Sequence, residues 1–396
     1  MRKKTVRDVD VTGKRVLVRV DYNVPLDQYG RVTDDTRISA SLPTLHYLLD
    51  HGASLVLMSH LGRPKGKVVE ELRLTPVAAV LRDLIGREVR KLDQVVGPEV
   101  KRVCLGMEPG EIVLLENLRF DPGETSNAPE FAALLARLGQ IYVDDAFGAA
   151  HREHASVVGV AKLLPAVAGF LMESEIVALK GLVENPKRPF VTVLGGSKIA
   201  DKLKVISRFQ ELVDVILLGG GMTYTIMKSQ GLEIGDSLCE ENLLGEVAAM
   251  MSVRKEKRAR ICLPRDLVVA SEFKPDAESK VVEASRVPAG WMGLDIGPLT
   301  IGEYIADIGE AATIFWNGPM GVFEWRRFQG GTMEIGKAVA QADAVTVAGG
   351  GDTVAAIEKY ELEEGFTHIS TGGGASMEFL EGISLPGIEV LTDIAT

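Results

Sequence analysis

The sequence predicts an α/β protein with two domains, and three observations support this fold class. The chain has 396 residues, of which 46% are hydrophobic, so it can bury more than one core. Short apolar runs alternate with helical patterns along both halves of the chain. These runs are nearly continuous, as expected for parallel strands that helices cover on both faces.

Four strands are predicted in the first half of the chain. They are KRVLVRV (14–20), ASLVLMS (53–59), EIVLLEN (111–117) and QIYVDDAF (140–147). Helical stretches separate them, among them TPVAAVLRDLIG, where Thr75 offers an N-cap and Pro76 occupies the first helical position. The first half is therefore predicted to form one layered α/β domain.

The second half repeats this pattern with six predicted strands. They are RPFVTVLGG (188–196), DVILLGG (214–220), ARICLPRDLVV (259–269), ATIFWNG (312–318), AVTVAGG (344–350) and THISTGG (367–373). The segment 169–189 has helical spacing and ends in proline, which predicts a helix that connects the two halves. The predicted domains are therefore 1–168 and 190–380, joined by that helix.

Composition argues against several classes of protein. A nucleic-acid-binding role usually needs a basic face, whereas the net charge is −11. The three cysteines, Cys104, Cys239 and Cys262, are far apart, which argues against a disulfide framework and a zinc site. No apolar run is long enough to predict a membrane helix, and no apolar segment follows the basic start as in a secretory signal. We therefore expect a cytoplasmic protein.

Clusters of glycine follow several predicted strands of the second half. GGGM (219–222), GGGDT (349–353) and TGGGAS (371–376) each lie at the carboxyl end of a strand, as does LGGSK (194–198). At that edge of an α/β sheet, a glycine loop that opens a helix lets backbone N–H groups approach phosphate oxygens. None of the loops matches GxxxxGK[ST] or a clean GxGxxG. The pattern indicates a nucleotide or another phosphate ligand, held by a different family of loops.

Polar side chains follow the strands of the first half at the same edge. They are Asp21 and Asn23 after the first strand, His60 and Arg63 after the second, Arg119 after the third, and His151 and Arg152 after the fourth, with Arg37 at the start of the first helical stretch. A guanidinium group binds both carboxylate and phosphate through two hydrogen bonds. Four arginines and a histidine in one crevice therefore predict a site for a ligand that carries both groups.

These motifs resemble the phosphoglycerate kinase family over essentially the whole chain. The resemblance rests on RVDYNVP, SHLGRP, ENLRF, AAHREHAS, GFLMESE, LGGSKIADK, GGGM, WNGPMGVFE, GGGDT, STGGGAS and LPGIEVL, in this order. Three positions depart from the family pattern: Ser197 stands where the family usually has alanine, Met320 where it has proline, and Ala149 where it often has threonine. All three lie beside functional positions, so they bear on affinity rather than on the reaction.

The resemblance implies two similar-sized doubly wound, Rossmann-like domains with parallel sheets that face each other across a cleft, with 381–396 returning to the first domain. It implies reversible phosphoryl transfer in glycolysis between 1,3-bisphosphoglycerate and Mg-ADP, which yields 3-phosphoglycerate and ATP. The first domain would bind the glycerate substrate, and the second would bind ADP or ATP with Mg²⁺. The enzyme is expected to act as a monomer, without a nucleic-acid or membrane partner.

The same resemblance assigns residues to each site. The glycerate site comprises Asp21, Asn23, Arg37, His60, Arg63, Arg119 and Arg152. The nucleotide site comprises Gly195, Lys198, Lys202, Gly219, Gly220, Asn317, Glu324, Gly350, Gly351, Asp352, Thr353 and Gly373. Within this set Lys198 and Lys202 reach the phosphates, Asp352 holds magnesium and Glu324 contacts the ribose. We assign catalytic roles to Arg37 and Lys198.

The chemistry of these residues supports the same roles. Phosphoryl transfer depends mainly on positioning and on neutralising charge, for which arginine, lysine and Mg²⁺ are suited. In the reverse direction the nucleophile is a carboxylate that is ionised near neutral pH, so no general base is required. Lys198 and Lys202 are four residues apart at a predicted helix start and are expected to share a face. In the alternative interpretation, Lys202 is a solvated lysine and Asp352 is only an N-cap.

Two other functions stay open from the residues alone. A Rossmann dehydrogenase would also place glycine loops at strand ends, but it predicts a ribose-binding acid about 20 residues after GxGxxG and gives no reason for the arginines. A non-catalytic binding protein for phosphate compounds explains the arginines but not a nucleotide site in the other half. Because the two predicted sites lie in different domains, we also expect closure when both ligands bind, with 169–189 and the tail near Pro386 as the hinge.

Overall fold

The structure is a computed structural model that describes residues 2–252 and 259–394, and these form two compact units. The first unit contains the chain up to Val177 and the segment from Ile383 onward, and the second unit contains Ala178–Gly382. In the described ranges, no helix is long and apolar enough to cross a membrane. The division between the units falls inside a helix at Phe170–Glu184, within the segment for which a connecting helix is predicted.

The first unit is built on a six-stranded parallel sheet. Its strands are β1 (Arg15–Val20), β2 (Ser54–Met58), β3 (Val89–Lys91), β4 (Ile112–Leu114), β5 (Ile141–Asp145) and β6 (Ala166–Ala168). Its helices are α1 (Thr36–Asp50), α2 (Thr75–Ile85), α3 (Pro98–Leu105), α4 (Pro122–Thr125), α5 (Pro129–Ala136) and the first part of α6 (Phe170–Glu184). Short 3-10 helices lie at Val6–Asp8, Glu70–Leu72, Leu118–Phe120 and Phe147–Ala149, and a π-helix lies at Ala155–Gly159.

The strand order of this sheet is β3–β4–β2–β1–β5–β6, and every neighbouring pair is parallel. Val16 and Val18 of β1 and Leu55 of β2 are fully buried in one apolar cluster. This burial is consistent with the nearly continuous apolar sequences of the two strands. Because the strands are parallel, the loops that follow β1, β2, β4 and β5 all start from the same edge. One charged side chain, Arg19, lies within this otherwise apolar part of β1.

The described part of the second unit contains three sheets. Its strands are β7 (Phe190–Leu194), β8 (Val215–Leu218), β9 (Glu233–Ile234), β10 (Arg260–Cys262), β11 (Asp266–Ala270), β12 (Ser279–Glu283), β13 (Arg286–Val287), β14 (Met292–Ile296), β15 (Thr313–Asn317), β16 (Val345–Ala348) and β17 (His368–Ile369). The main sheet is parallel, in the order β10–β8–β7–β15–β16–β17. An antiparallel sheet, β12–β11–β14, and a parallel pair, β13–β9, were not predicted.

Helices separate these strands. They are the second part of α6, then α7 (Leu203–Leu212), α8 (Met222–Ser229), α9 (Leu244–Ser252), α10 (Pro298–Gly309), α11 (Gly330–Gln341), α12 (Gly351–Lys359) and α13 (Gly374–Leu380), with 3-10 helices at Glu241–Leu243 and Glu363–Gly365. The chain then re-enters the first unit, where α14 (Pro386–Glu389) lies. There Gly387 N donates to Ala150 O at 2.8 Å and Lys4 N donates to Thr392 O at 2.8 Å.

The predicted fold class is confirmed, but three local predictions are wrong. Thr75 is already helical, and Leu74 occupies the N-cap position without a side-chain hydrogen bond. The apolar run that contains Pro264 forms two strands, β10 and β11, in different sheets, because proline cannot donate a ladder hydrogen bond. Helix α7 begins at Leu203, so Lys198 lies in the turn before the helix rather than on its face.

Candidate active site

The loops that follow β1 and β2 meet at the carboxyl edge of the first sheet. Asn23 Oδ1 accepts a hydrogen bond from Gly62 N at 2.8 Å, which ties the two loops together. Asp21 Oδ2 accepts from Arg37 Nη1 at 2.8 Å, and Asp21 Oδ1 lies 4.0 Å from His60 Nδ1. The structure therefore gathers these four predicted residues in one cluster, which we call the arginine cradle.

Arg119 enters the arginine cradle from the 3-10 helix after β4. Asn117 Oδ1 accepts from Arg119 N at 3.1 Å and from Leu61 N at 3.2 Å, so one amide positions both loops. Arg119 Nη1 donates to Gly62 O at 2.7 Å. The side chain is buried, and its Nε has no hydrogen-bond partner among the described residues. A buried N–H donor of this kind on a cation indicates a site for an anionic ligand.

Arg152 and Arg63 complete the predicted glycerate set. Arg152 lies on the turn after β5, where its Nε donates to His151 Nε2 at 3.1 Å. Arg63 is exposed in the loop after β2. Burial, together with the positive charges of Arg152 and Arg19, lowers the pKa of Arg119 to about 10. Like charges gathered in this way repel one another, and an anion bound among them would relieve the repulsion.

Burial and neighbouring charges set the ionisation of Asp21 and His60. Burial raises the pKa of Asp21, but the positive charges of nearby side chains outweigh this effect, and the pKa is lowered overall. Burial holds the pKa of His60 well below its ordinary value, and the charges of Arg19 and Arg119 act in the same direction against that of Asp21. Near pH 7, Asp21 is therefore ionised and His60 is neutral, so the cradle stays positively charged.

Glycine loops of the second unit line a cavity of about 310 Å³, which we call the phosphate cavity. The predicted residues that line it are Gly195, Lys198, Lys202, Asn317, Gly350, Gly351, Asp352, Thr353 and Gly373. Asn317 Nδ2 donates to Gly349 O at 2.6 Å, and Thr353 Oγ1 accepts from Gly318 N at 2.7 Å. These two bonds join the loops that follow β15 and β16, which fixes one wall of the cavity.

Two glycines explain why these loops lack side chains. Gly350 has a φ of +95°, and a Cβ at this position would lie 2.7 Å from Asn317 Nδ2. A Cβ at Gly195 would lie 2.0 Å from Pro319 O. Both positions therefore require glycine, and the cavity wall is made largely of peptide groups. Such a wall can donate several N–H groups to phosphate oxygens.

Lys198 and Lys202 line the same cavity in different environments. Lys198 is exposed in the turn before α7. Lys202 is half-buried, and its Nζ contacts Asn317 Oδ1. Burial lowers the pKa of Lys202, although the carboxylates of Asp201 and Asp352 oppose this shift. Lys198 is thus exposed to solvent at the edge of the cavity, whereas Lys202 contacts the cavity wall.

An adjoining cavity of about 560 Å³ has mostly apolar walls, and we call it the nucleoside cavity. It shares Gly196, Ser197 and Asp352 with the phosphate cavity. Its other lining residues include Gly220, Tyr224, Leu238, Phe273, Met292, Leu294, Val322 and Glu324. A mostly apolar cavity beside one lined by glycine loops and two lysines suits a nucleotide. Of these residues, only Gly220 and Glu324 were predicted at the nucleotide site, because apolar side chains such as Leu238 and Phe273 carry no sequence signal of a binding site.

The three departures from the family pattern have different surroundings. Met320 is fully buried, and a Cβ at Gly219 would lie 2.4 Å from Met320 Sδ. Gly219 thus packs behind the cavity walls and lines neither described cavity. Ser197 is exposed where the two cavities join, and Ala149 is buried in the 3-10 helix after β5.

Asp352 is the candidate magnesium ligand. It lies exposed in the first turn of α12 and lines both cavities. The N-cap of α12 is Gly350, so the alternative that Asp352 is only an N-cap is wrong. The described residues contain no group of three or more His, Cys, Asp or Glu that could hold a metal ion. A single carboxylate at the edge of the phosphate cavity fits Mg²⁺, which proteins bind through one or two carboxylates together with substrate phosphates.

Comparison with known proteins agrees with this geometry. A family model described as phosphoglycerate kinase matches residues 6–383. The phosphoglycerate kinase of Moorella thermoacetica is 54% identical over 393 residues, which cover 99% of this chain and 100% of that protein. The phosphoglycerate kinase of Chloroflexus aurantiacus is 53% identical over 398 residues, with 99% and 100% covered.

Two solved structures share the fold over almost their whole length. The phosphoglycerate kinase of Coxiella burnetii has a TM-score of 0.89 at 39% identity and covers 98% of each chain. The phosphoglycerate kinase of Pyrococcus horikoshii OT3 has a TM-score of 0.85 at 31% identity, with 99% of this chain and 98% of that chain covered. With an arginine cradle in one unit and nucleotide-shaped cavities in the other, this chain belongs to the phosphoglycerate kinase family.

Proposed function

We propose that this chain catalyses the reversible transfer of a phosphoryl group between 1,3-bisphosphoglycerate and Mg-ADP, giving 3-phosphoglycerate and ATP in glycolysis. The observation that carries the proposal is the unpaired, buried Nε of Arg119 within a cluster of arginines. It supports an anionic substrate in the first unit, while the cavities of the second unit suit a nucleotide. Neither a dehydrogenase nor a simple binding protein accounts for both sites.

In the first unit, the arginine cradle binds the glycerate substrate. Arg63, Arg119 and Arg152 neutralise its phosphate and carboxyl groups, since guanidinium forks match both. Asn23 and Asp21 fix the loops, and Asp21 also orients Arg37 through the 2.8 Å bond to its Nη1. Because Arg37 is only partly buried, its guanidinium can turn toward the phosphoryl group in transfer and stabilise its negative charge.

In the second unit, the two cavities bind the nucleotide. The phosphates lie against the peptide groups of the loops at Gly195, Gly350, Gly351 and Gly373, with Lys202 and Thr353 beside them. The base enters the nucleoside cavity near Gly220, and Glu324 accepts from the ribose hydroxyls. Lys198, which is exposed and unconstrained, follows the transferring phosphoryl group.

Asp352 would hold Mg²⁺ at the junction of the two cavities. When bound, Mg²⁺ neutralises charge on the nucleotide phosphates and orients them. Arginine and lysine side chains of the chain neutralise the remaining negative charge. Because the acceptor carboxylate is already ionised, no side chain has to remove a proton. We further propose that the enzyme acts as a cytoplasmic monomer.

Each ligand binds to its own unit, so transfer requires the bound ligands to meet with water excluded. We therefore propose closure that needs both ligands, with α6 as part of the hinge because the boundary between the units crosses it. Small-angle scattering should give a smaller radius of gyration with 3-phosphoglycerate and a non-hydrolysable Mg-ATP analogue together than with either alone. Full compaction with one ligand would contradict this mechanism.

A coupled assay tests the function directly. The purified protein should form ATP from 1,3-bisphosphoglycerate and Mg-ADP, and should need both magnesium and ADP. Binding of both ligands without ATP formation would favour a non-catalytic binding protein. Binding of NAD in calorimetry, with no heat from Mg-ADP, would favour a dehydrogenase.

A further inference from the structure

A buried arginine that is not among the predicted site residues is hydrogen-bonded to His60. Arg19, in β1, is only 1% exposed, and each of its three guanidinium nitrogens has a hydrogen-bond partner. Its Nε donates to Ser156 Oγ at 3.0 Å, its Nη1 donates to Val20 O, and its Nη2 lies 3.0 Å from His60 Nδ1. A permanent cation at this depth is costly unless a counter-charge is near.

Glu124 supplies that counter-charge through Ser156. The carboxylate is fully buried, accepts from Ser156 Oγ at 2.7 Å and accepts from Ser156 N at 3.0 Å. His154 Nδ1 lies 3.6 Å from it. Burial opposes ionisation of Glu124, but His154, Arg19 and the Ser156 hydroxyl outweigh burial and lower its pKa. Glu124, Ser156, Arg19 and His60 therefore form one continuous buried chain of hydrogen bonds, the Glu124 relay.

The direction of each bond in the relay follows from chemistry. A guanidinium group can only donate, so Arg19 Nη2 is the donor and His60 Nδ1 is the acceptor. His60 is neutral near pH 7 because burial holds its pKa low. A neutral imidazole whose Nδ1 accepts must carry its proton on Nε2. The ring therefore presents an N–H donor on the side away from Arg19.

We propose that Glu124, Ser156 and Arg19 are positioning residues that lock His60 in its Nε2–H form, so that this N–H donates to the anionic glycerate substrate. The inference rests on the proposed function, since it names how one residue of that site recognises its ligand. Without the relay, Nδ1 would compete for the proton, and the Nε2 lone pair would face an anion. The neutral donor also explains why a histidine is placed among arginines: it adds a directed hydrogen bond without adding charge.

Nitrogen NMR of protein labelled with ¹⁵N-histidine tests the relay independently of activity. In the wild-type protein, the His60 signals, assigned by their loss in His60→Gln, should show a protonated Nε2 and an unprotonated Nδ1 at pH 7. A protonated Nδ1 in the wild type would overturn the proposal. In Arg19→Met, removal of the nearby positive charge leaves His60 facing Asp21, Arg119 and Arg152, and its pKa should rise. An Arg19→Met spectrum identical to that of the wild type at every pH would also overturn it.

Kinetics give a second readout, with variants chosen because Arg19→Met could fail to fold. Ser156→Ala, which removes only the relay hydroxyl, should lower kcat/KM for 3-phosphoglycerate by on the order of tenfold. Glu124→Gln, which keeps an acceptor for that hydroxyl, should have a smaller effect. KM for Mg-ATP should not change in either variant.

The control variant is Arg15→Met, which removes a cation from the same strand. Arg15 lies at the other end of β1 and donates to Leu138 O at 3.3 Å, away from His60. The Arg15→Met variant should leave both kcat/KM and the His60 signals unchanged.

If Ser156→Ala and Glu124→Gln match the wild type in kcat/KM while the wild type is active, the relay is refuted and the proposed function stands. If the wild type is inactive with 1,3-bisphosphoglycerate, the proposed function fails, while the NMR result still decides the tautomer.

Discussion

The two candidate sites are suited to anions but are built from different parts of the chain. The arginine cradle of the first unit uses charged side chains, of which Arg19 and Arg119 are buried. The phosphate cavity of the second unit uses peptide groups, exposed by glycines such as Gly350. A side-chain site must balance its buried charges, and Asp21 and Glu124 provide that balance. A backbone site must keep its loops free of Cβ atoms.

The difference extends to buried carboxylates. Burial raises the pKa of Asp21, but the charges of His60, Arg37 and Arg19 outweigh this effect and lower the pKa overall. Among the described residues, Asp295 in β14 of the second unit accepts hydrogen bonds from Gly331 N and Ile296 N alone, and burial raises its pKa to about 7. Near pH 7 the carboxyl group of Asp21 is therefore ionised, whereas that of Asp295 is only partly ionised. Replacing these two carboxylates should therefore change the pH dependence of the free energy of unfolding in opposite directions.

The largest effect is expected for the side chain nearest the chemistry. Arg37→Ala should lower kcat by on the order of 10³ while changing KM much less, because Arg37 is proposed to stabilise charge that develops during transfer. Steady-state kinetics in the ATP-forming direction measure both constants. Arg31→Ala is the matched control, since Arg31 also pairs with an aspartate, Asp27, at 2.7 Å but is 74% exposed. An unchanged kcat in Arg37→Ala would show that Arg37 does not stabilise the phosphoryl group during transfer.

The lysine pair should separate catalysis from binding within the second unit. Lys198→Ala should lower kcat by on the order of 10², because a mobile exposed cation can follow the transferring group. Lys202→Ala should mainly raise KM for the nucleotide, because this lysine is held against Asn317. Equal, small effects in both variants would favour the interpretation of Lys198 and Lys202 as solvated surface groups.

A smaller effect is expected from a methyl group added to the backbone site. Gly350→Ala forces an L side chain to a φ of +95° and against Asn317 Nδ2, so affinity for Mg-ADP should fall about tenfold. Gly351→Ala is the control for backbone strain: it adds a methyl group to a residue that lines the same cavity, but a Cβ there meets no atom of the chain within 4 Å and the φ is not positive. Calorimetry should show 3-phosphoglycerate affinity unchanged in both variants. If Gly351→Ala is as harmful as Gly350→Ala, strain at Gly350 is not the cause.

The least effect on activity, but a clear effect on stability, is expected from Asp295→Asn. The folded pKa of about 7 lies above that of an unfolded aspartate, so the free energy of unfolding should fall as pH rises from about 4 to about 7. Asp295→Asn should remove part of that fall. Asp21→Asn should do the opposite and remove stability that is present above about pH 4. Urea unfolding at both ends of this range, followed by circular dichroism, measures each slope, and identical slopes in both variants would contradict the assigned pKa directions.

The sequence predicted best those site residues that follow the carboxyl ends of parallel strands. Asp21, His60, Arg119 and Arg152 follow strand ends, and parallel strands place such residues at one edge, so their grouping could be predicted. Arg19 was missed because it lies inside a strand, although a lone charge in an apolar run was a usable signal.

Other features depend on contacts that local patterns do not encode. Phe273 and Leu238 of the nucleoside cavity lie in short, largely polar stretches of the sequence, so no local pattern predicted that they line a cavity. Ser156 and Glu124 are 32 residues apart, and only the fold brings them together. The antiparallel sheet that contains β11 was missed because Pro264 divides a single apolar run between two sheets.

The central claim is that each unit binds its own ligand by its own chemistry, and paired calorimetry tests it most directly. Arg119→Ala should abolish measurable binding of 3-phosphoglycerate and leave the Kd for Mg-ADP within about twofold of the wild type. Gly350→Ala should weaken Mg-ADP binding and leave 3-phosphoglycerate binding unchanged by the same measure. If either variant weakens the binding of both ligands to the same extent, the two sites are not separate, and the claim that each unit binds one ligand is wrong.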